Sequence, residues 1–224
     1  MGYLFSILLG YVLGSSSMAY YIGKLKRQDV RKAGTGNLGA SNTAVLFGWG
    51  AAVLVAVHDI AKAAIAVLAA KLLFGDLAYA GAAAGAAAVI GHIFPLWMGF
   101  SGGKGLACIG GLVLAYNWRL FLLMLAAEIL LVLIFQYICI MPISVSIVFP
   151  IVYGMQTGDS AGTLALVALI PVIVYKHLPN LRRILTGQEA RISWLWNAEK
   201  EEARLKERFT DQEWKRIYRK ASQK

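Results

Sequence analysis

Three short polar stretches interrupt an otherwise apolar chain, and each has residue types suited to holding an anion. The first is Gly34-Thr35-Gly36-Asn37-Leu38-Gly39-Ala40-Ser41-Asn42. Its glycines let the backbone approach a ligand closely, and successive N–H groups can form an anion-binding nest. It is neither a Walker A loop nor a Rossmann fingerprint. Taken alone it also reads as a turn, with Ser41 or Asn42 capping the following helix. The second is Ser101-Gly102-Gly103-Lys104-Gly105, ahead of another apolar run. A helix N-terminus carries unpaired N–H groups and partial positive charge, which suits phosphate. Lys104 adds a full charge; a lysine snorkelling at a membrane edge would look similar, but the flanking Gly102, Gly103 and Gly105 favour the anion site. The third is His177-Leu178-Pro179-Asn180-Leu181-Arg182-Arg183. A basic cluster after a last span is usually a topology signal, which accounts for Arg182 and Arg183 but not for His177 and Asn180.

Other ionisable groups lie inside the apolar segments. Asp59 and Lys62 are three apart and share a helix face. At membrane depth such a pair is either functional or a mutually neutralising lock on the bundle. Glu128 has no partner evident in the sequence. His58 and His92 read as hydrogen-bonded packing residues, because no ligand spacing supports a metal site. Cys108 and Cys139 read as small packing residues, with neither a disulfide framework nor a metal signature.

The elements that must position these groups are membrane helices. Of the 224 residues 58% are hydrophobic and 15% charged, against about 25% charged in a soluble domain. The apolar residues form runs near 3–23, 46–74, 78–99, 104–116, 118–140, 142–156 and 161–177. That predicts an all-α integral membrane protein with about seven transmembrane helices, the fourth and sixth short or tilted. Gly81-Ala82-Ala83-Ala84-Gly85 marks a helix-packing face. The N-terminus lacks a charged leader, so the first run reads as a retained span rather than a signal peptide. The net charge of +10 belongs to loops rather than to a nucleic-acid surface. Lys24, Lys26, Arg27, Arg31 and Lys32 face only Asp29 in the loop 24–43, and thirteen Lys and Arg occur from Lys176 onward. Asp76, Arg119 and Asp159 occupy the opposite loops. The positive-inside rule then puts the N-terminus outside and the C-terminus in the cytoplasm, with all three polar stretches on the cytoplasmic face. Residues 1–191 form the membrane domain. Residues 192–224 are expected to form a basic amphipathic helical extension lying on the anionic leaflet. Thr210 and Glu213 have capping-box spacing there. Trp214, Ile217, Tyr218 and Ala221 form its apolar stripe opposite Lys215, Arg216, Arg219 and Lys220, with Trp194 and Trp196 at headgroup depth.

In this order the motifs resemble those of the acyl-phosphate-dependent glycerol-3-phosphate acyltransferases, the PlsY family. The resemblance runs from about Gly14 to Arg191. It is carried by Gly14-Ser15 with Tyr21-Ile22-Gly23-Lys24-Leu25, by Thr35 to Asn42, by Asp59-x-x-Lys62, by His92-Ile93-Phe94-Pro95 followed by Gly102-Gly103-Lys104-Gly105, and by His177-x-x-Asn180 with Arg183, Gly187 and Glu189. It implies transfer of an acyl group from acyl phosphate to the 1-hydroxyl of glycerol 3-phosphate, giving lysophosphatidate and phosphate. The setting would be a bacterial-type plasma membrane, with no cofactor, metal or nucleic acid involved. It further implies that Thr35, Lys104, His177 and Asn180 line the catalytic site. Gly34, Gly36, Asn37, Ser41, Asn42, Gly102, Gly103, Gly105 and Arg183 would bind phosphate, and Asp59 and Lys62 would form a structural or coupled pair.

Departures accompany the resemblance. The family has Arg where Val45 stands and Lys where Ser101 stands, and its Arg-Tyr-Val-Ser loop is not reproduced by Ile138 to Ser144. Two other readings therefore fit: a divergent homologue with another acceptor, or without activity and binding phosphorylated lipid; and a small-anion transporter, supported by Asp59, Lys62 and Glu128. Thioester-dependent acyltransferases commonly carry Asp five residues after His. Here Ala63, Trp97 and Arg182 occupy those positions, which predicts an acyl-phosphate donor.

Overall fold

A computed structural model describes residues 1–75 and 77–210. Asp76 and the stripe Trp214, Ile217, Tyr218 and Ala221, with Glu213 and the basic residues opposite, lie outside them. The first apolar run forms α1 (Gly2–Gly14) and α2 (Met18–Leu25). A short α3 (Ala40–Phe47) precedes α4 (Trp49–Leu73), which is followed by α5 (Ala80–Ile93) and α6 (Leu106–Tyr116). Then come α7 (Trp118–Phe135), α8 (Ile140–Thr157), α9 (Ser160–Val167), α10 (Leu169–Leu185) and α11 (Ala198–Lys206). Among the described residues six segments are long and apolar enough to cross a membrane: Gly2–Leu25, Trp49–Leu73, Ala80–Met98, Trp118–Phe135, Ile140–Thr157 and Ser160–Leu185. The expected fourth span is the shorter apolar helix α6. Its 11 residues extend about 16 Å, half of a hydrocarbon core of about 30 Å.

Small residues set the centre of the bundle. In lipid, helices gain little from burying apolar surface against one another and depend on close packing instead. α5 is the alanine-rich segment, and it is buried along nearly its whole length. Gly10 and Gly14 of α1 lie on it so closely that a Cβ would stand 2.1 Å from the carbonyl oxygens of Ala84 and Ala88 respectively. Gly111 of α6 meets the Ile60 carbonyl of α4 in the same way, at 2.0 Å. The packing face expected at 81–85 thus extends through the whole helix.

The first span is broken rather than continuous. Ser17 caps α2 through the Tyr20 N–H. Lys62 Nζ donates to the Ser16 carbonyl at 2.7 Å, and Ser16 Oγ lies 3.0 Å from His58 Nε2. A broken helix in lipid must have its freed carbonyls satisfied, and Lys62 of α4 does this for Ser16. The last span is broken at Ala168, yet its second half runs on as helix past the apolar stretch to Leu185. His177, Asn180 and Arg183 therefore lie on α10 itself, not in a loop after it. Glu128 also finds its partner: Ser144 Oγ of α8 is 2.7 Å from both carboxylate oxygens. Cys108 and Cys139 are free and buried, as their packing role requires.

Contacts gather the segments 26–48, 94–105, 136–139 and 186–210 at one end of the bundle. The Ile192 N–H donates to the Gln136 carbonyl at 2.8 Å, joining two of them. Arg31 joins two more by donating to the Met98 carbonyl at 3.1 Å.

Candidate active site

The turn before α6 is built on the end of α5. The Gly102 and Gly103 N–H groups donate to the carbonyls of Ile93 and His92, both at 3.1 Å. A Cβ on Gly102 would stand 2.0 Å from the His92 carbonyl oxygen, and one on Gly103 2.1 Å from the His92 ring. These glycines are required for close packing, and their N–H groups are already committed. This corrects the expectation that they cradle phosphate. The available backbone donors lie further on, where the first turn of α6 starts from Gly105 without a side-chain cap. Gly105 has φ +95°, and a Cβ there would meet Ile173 of α10 at 2.9 Å. That close approach brings the turn against the helix that carries His177.

Lys104 projects from this turn to the centre of a polar network. Its Nζ donates to Asn180 Oδ1 at 2.5 Å. Asn180 Nδ2 donates to Glu189 Oε1 at 2.6 Å, and Arg183 Nε donates to Glu189 Oε2 at 2.6 Å. Spacings of three along α10 put Asn180 and Arg183 on one face with His177. His177 and Asn180 are 2% and 7% exposed, deep enough that each polar atom needs a partner. His177 Nδ1 lies 2.8 Å from the Ile173 carbonyl. A carbonyl only accepts, so Nδ1 carries the proton and the neutral ring presents Nε2 as an acceptor. Burial holds the Lys104 amine below the usual lysine range; Arg183 pushes the same way and Glu189 opposes it.

The glycine-rich stretch at 34–42 is arranged otherwise than as a capped helix start. Gly39 is the N-cap of α3 and has no side-chain bond. Asn42 instead turns back into the loop. Its Oδ1 accepts the Thr35 N–H at 2.8 Å, and its Nδ2 donates to the carbonyls of Val30, Ala33 and Asn37 at 3.3, 3.1 and 3.0 Å. Asn42 is thus the internal brace of the loop, and neither it nor Ser41 caps α3. Gly34 and Gly36 have φ +58° and +73°, which glycine adopts without steric cost. Leu38 and Val30 anchor the loop in a small core with Met98, just ahead of the Lys104 turn. Among the described residues no hydrogen bond joins Thr35 to Lys104, His177 or Asn180. The loop shares the end of the bundle with them and is tied to it through Arg31 and Met98.

Asp59 and Lys62 form a separate centre deeper in the bundle, described by an Nζ–Oδ1 distance of 2.7 Å and by Lys62 Nζ lying 2.9 Å from His92 Nδ1. The residue that sequence reasoning left out of the site is Glu189, the carboxylate bridging Asn180 and Arg183. Its signal was its place in the C-terminal motif with Arg183 and Gly187, two residues after the glycine whose φ of +73° turns the chain back along α10. No group of three or more His, Cys, Asp or Glu suited to a metal occurs among the described residues.

The sequence model of the glycerol-3-phosphate acyltransferase family matches residues 4–187. A glycerol-3-phosphate acyltransferase of Coxiella burnetii is 34% identical over 193 residues, which is 86% of this chain and 99% of that protein. One of Parasynechococcus marenigrum is 33% identical over 185 residues, 82% of this chain and 87% of that protein. Among solved structures, PlsY (YgiH), an integral membrane glycerol 3-phosphate acyltransferase, was solved in a glycerol 3-phosphate form. It aligns with a TM-score of 0.78 at 31% identity, covering 89% of this chain and 100% of that one. Its lysophosphatidic acid form aligns with a TM-score of 0.72, covering 85% and 95%. Residues 188–224 lie beyond the family match.

Proposed function

The chain belongs to the glycerol-3-phosphate acyltransferase family, and from that premise we propose that it acylates glycerol 3-phosphate with an acyl phosphate at the end of the bundle that holds Lys104. The observation that carries this reading is the network of Lys104, Asn180, Glu189 and Arg183 beside the uncapped start of α6. Such a site offers a half-buried cation and helix N–H groups to phosphate, with His177 one turn away. The 1-hydroxyl oxygen of glycerol 3-phosphate attacks the acyl carbon, and the bond from that carbon to the phosphate oxygen breaks. The hydroxyl proton ends on the released phosphate, which serves as the base. His177 Nε2 accepts from the hydroxyl and orients it. Lys104 and the α6 N–H groups balance the charge that grows on the departing phosphate. Thr35, Gly34, Gly36 and Asn37 present the braced loop to the second phosphate, with Ser41 and Asn42 at the loop's end. An acyl phosphate already has a good leaving group, so alignment is most of what the protein must supply.

Val45, on α3, stands where the family carries Arg. The nearby cations that could replace it are engaged: Arg31 pairs with Asp29 at 3.0 Å and Arg183 with Glu189 at 2.6 Å. A charge-assisted hydrogen bond contributes about 1.5–3 kcal/mol, roughly ten- to hundredfold in affinity. Steady-state phosphate release, with the two substrates varied separately, tests the reading. Turnover is expected with acyl phosphate and not with acyl-CoA, and V45R is expected to lower the Michaelis constant for glycerol 3-phosphate alone. Turnover with acyl-CoA only would overturn the donor assignment; a V45R effect confined to the donor would reverse the assignment of the two phosphates.

The orientation proposed is N-terminus outside, C-terminus and Lys104 cytoplasmic. It is supported by the excess of Lys and Arg at the end formed by 26–48, 94–105 and 186–210. Single cysteines at positions 26, 104 and 183 should react with an impermeant reagent only from the cytoplasmic side, and one at 159 only from the other. Labelling of position 104 from outside would invert the topology.

A further inference from the structure

The chain continues past the end of the family match, and its first described part folds back onto the turn that carries Glu189. After a 3-10 turn at Ile192–Leu195, α11 is capped by Asn197 through the Lys200 N–H. Arg204 of α11 reaches the turn with both terminal nitrogens. Nη1 donates to the Gly187 carbonyl at 2.7 Å, and Nη2 donates to the Glu189 carbonyl at 2.8 Å. Glu201, one turn earlier and 4% exposed, holds Arg204 in that position. It accepts from Arg204 Nε at 2.9 Å and Nη2 at 2.6 Å, and from the Arg191 N–H at 2.8 Å. Burial alone would raise the Glu201 carboxyl, but the donors from Arg204 and Arg191 outweigh it and leave the group below the usual carboxylate range. The planar guanidinium fork gives this contact a fixed direction that a lysine would not. The Glu189 N–H also donates to the Arg183 carbonyl at 3.0 Å, so the Glu189 backbone is held on both sides.

We propose that α11 is a positioning element for the phosphate site. Glu201 and Arg204 fix the 187–191 turn so that Glu189 bridges Asn180 and Arg183 and keeps the Asn180 amide oxygen turned toward Lys104. The inference rests on Lys104 being the phosphate cation, and it extends the site into a segment outside the family match. Without Glu189 in place, the Asn180 amide is free to flip and present its NH2 group to the Lys104 ammonium, which repels it. Arg204 and Glu201 are positioning residues; neither belongs to the chemistry itself.

The charged and titratable groups facing Lys104 are Arg183, Glu189, Cys139, Lys176 and His177. Glu189 is the carboxylate among them, so its withdrawal makes the ammonium less favourable and lowers the pH at which Lys104 titrates. Removing the Arg204 cation by charge alone acts in the opposite direction. The sign of the shift therefore separates positioning from simple electrostatics.

The experiment is competitive acylation of the Lys104 amine across pH, read by mass spectrometry on the full chain in lipid nanodiscs. Wild type, E189Q, R204A, R204K and E201Q are compared. Lys104 in E189Q, R204A and E201Q is expected to label roughly three- to tenfold faster at a fixed pH below its midpoint, a shift of half to one pH unit. R204K should show the same change at least in part, because lysine cannot reproduce the fork. An unchanged or upward-shifted Lys104 in R204A, with E189Q shifted down, overturns the proposal. If R204A does not yield folded protein, R204K, which keeps the charge but not the fork onto the Gly187 and Glu189 carbonyls, decides: an unchanged Lys104 in R204K then overturns the proposal. Phosphate release measured on the same samples should fall with the labelling shift. Absence of turnover in the wild type would sink the acyltransferase reading, while the labelling would still settle the role of α11.

Discussion

K104A is expected to lower phosphate release by at least about 10²–10³-fold with any acceptor, the usual loss when one donor to developing oxyanion charge is removed. The lysine is a cation held by Asn180 at the start of a helix, where no other side chain caps the N–H groups. Alanine removes the charge and leaves the Asn180 oxygen without its donor. Arg183 is tied to Glu189 through its Nε, which opposes its moving in as a replacement. K104R keeps the charge but not the compact ammonium, and should retain a measurable fraction of the rate. The pH dependence has a definite sign. Phosphate needs the ammonium form, which is present below the Lys104 pKa and lost as pH rises through it. Burial, with Arg183 adding to it, lowers that pKa. The alkaline fall in kcat/KM should therefore begin below the usual lysine range and shift further down in E189Q. An unaltered rate in K104A would remove Lys104 from the site.

The parts of this site visible in the sequence were those whose chemistry is local. Gly105 beside Lys104 announced a turn at a helix start, because a positive φ and a close approach are backbone requirements that select glycine. Asp59 and Lys62 announced a pair because helical spacing alone puts them together. The failures came where a partner is backbone or lies on another element. Nothing near Gly102 and Gly103 in the chain says that their N–H groups belong to the end of α5. Local preference favoured Asn42 as a cap, but four backbone partners across the loop outweighed one. Glu128 and Ser144 meet across two helices. The last helix was ended at residue 177 because apolarity stops there, but helical geometry does not require apolar residues, and α10 carries His177 and Asn180 onward past the membrane-like stretch. Glu189 became a site residue only because that helix ends where it does and Gly187 turns the chain back.

K62M and D59N are each expected to destabilise the protein by about 3–5 kcal/mol, the cost of leaving one member of a buried ion pair uncompensated. The three donors of the Lys62 ammonium are matched by Asp59 Oδ1 at 2.7 Å, the Ser16 carbonyl at 2.7 Å and His92 Nδ1 at 2.9 Å. His92 Nδ1 also lies 3.4 Å from Asp59 Oδ1, so the ring is shared between the lysine and the carboxylate. Methionine in place of Lys62 leaves the Asp59 carboxylate only His58 Nδ1 at 3.5 Å and His92 Nδ1 at 3.4 Å, and it exposes the freed carbonyl at the break between α1 and α2. Asparagine in place of Asp59 strands the ammonium. Charges at membrane depth persist only with such partners. Because replacing both partners of a buried pair by uncharged groups avoids the stranded charge, the double variant D59N/K62M should be more stable than either single one, a non-additivity typical of coupled neighbours. Thermal unfolding in detergent reads this directly; single variants costing less than about 1 kcal/mol, the scale of an exposed ion pair, would mean that the pair is solvated. Activity should not recover with stability. The His92 carbonyl accepts the Gly103 N–H, and its ring packs where a Gly103 Cβ would be. Removing Lys62 takes away one of the two polar partners of His92 Nδ1, the other being Asp59 Oδ1 at 3.4 Å, and so loosens the turn that aims Lys104 while leaving the bundle folded.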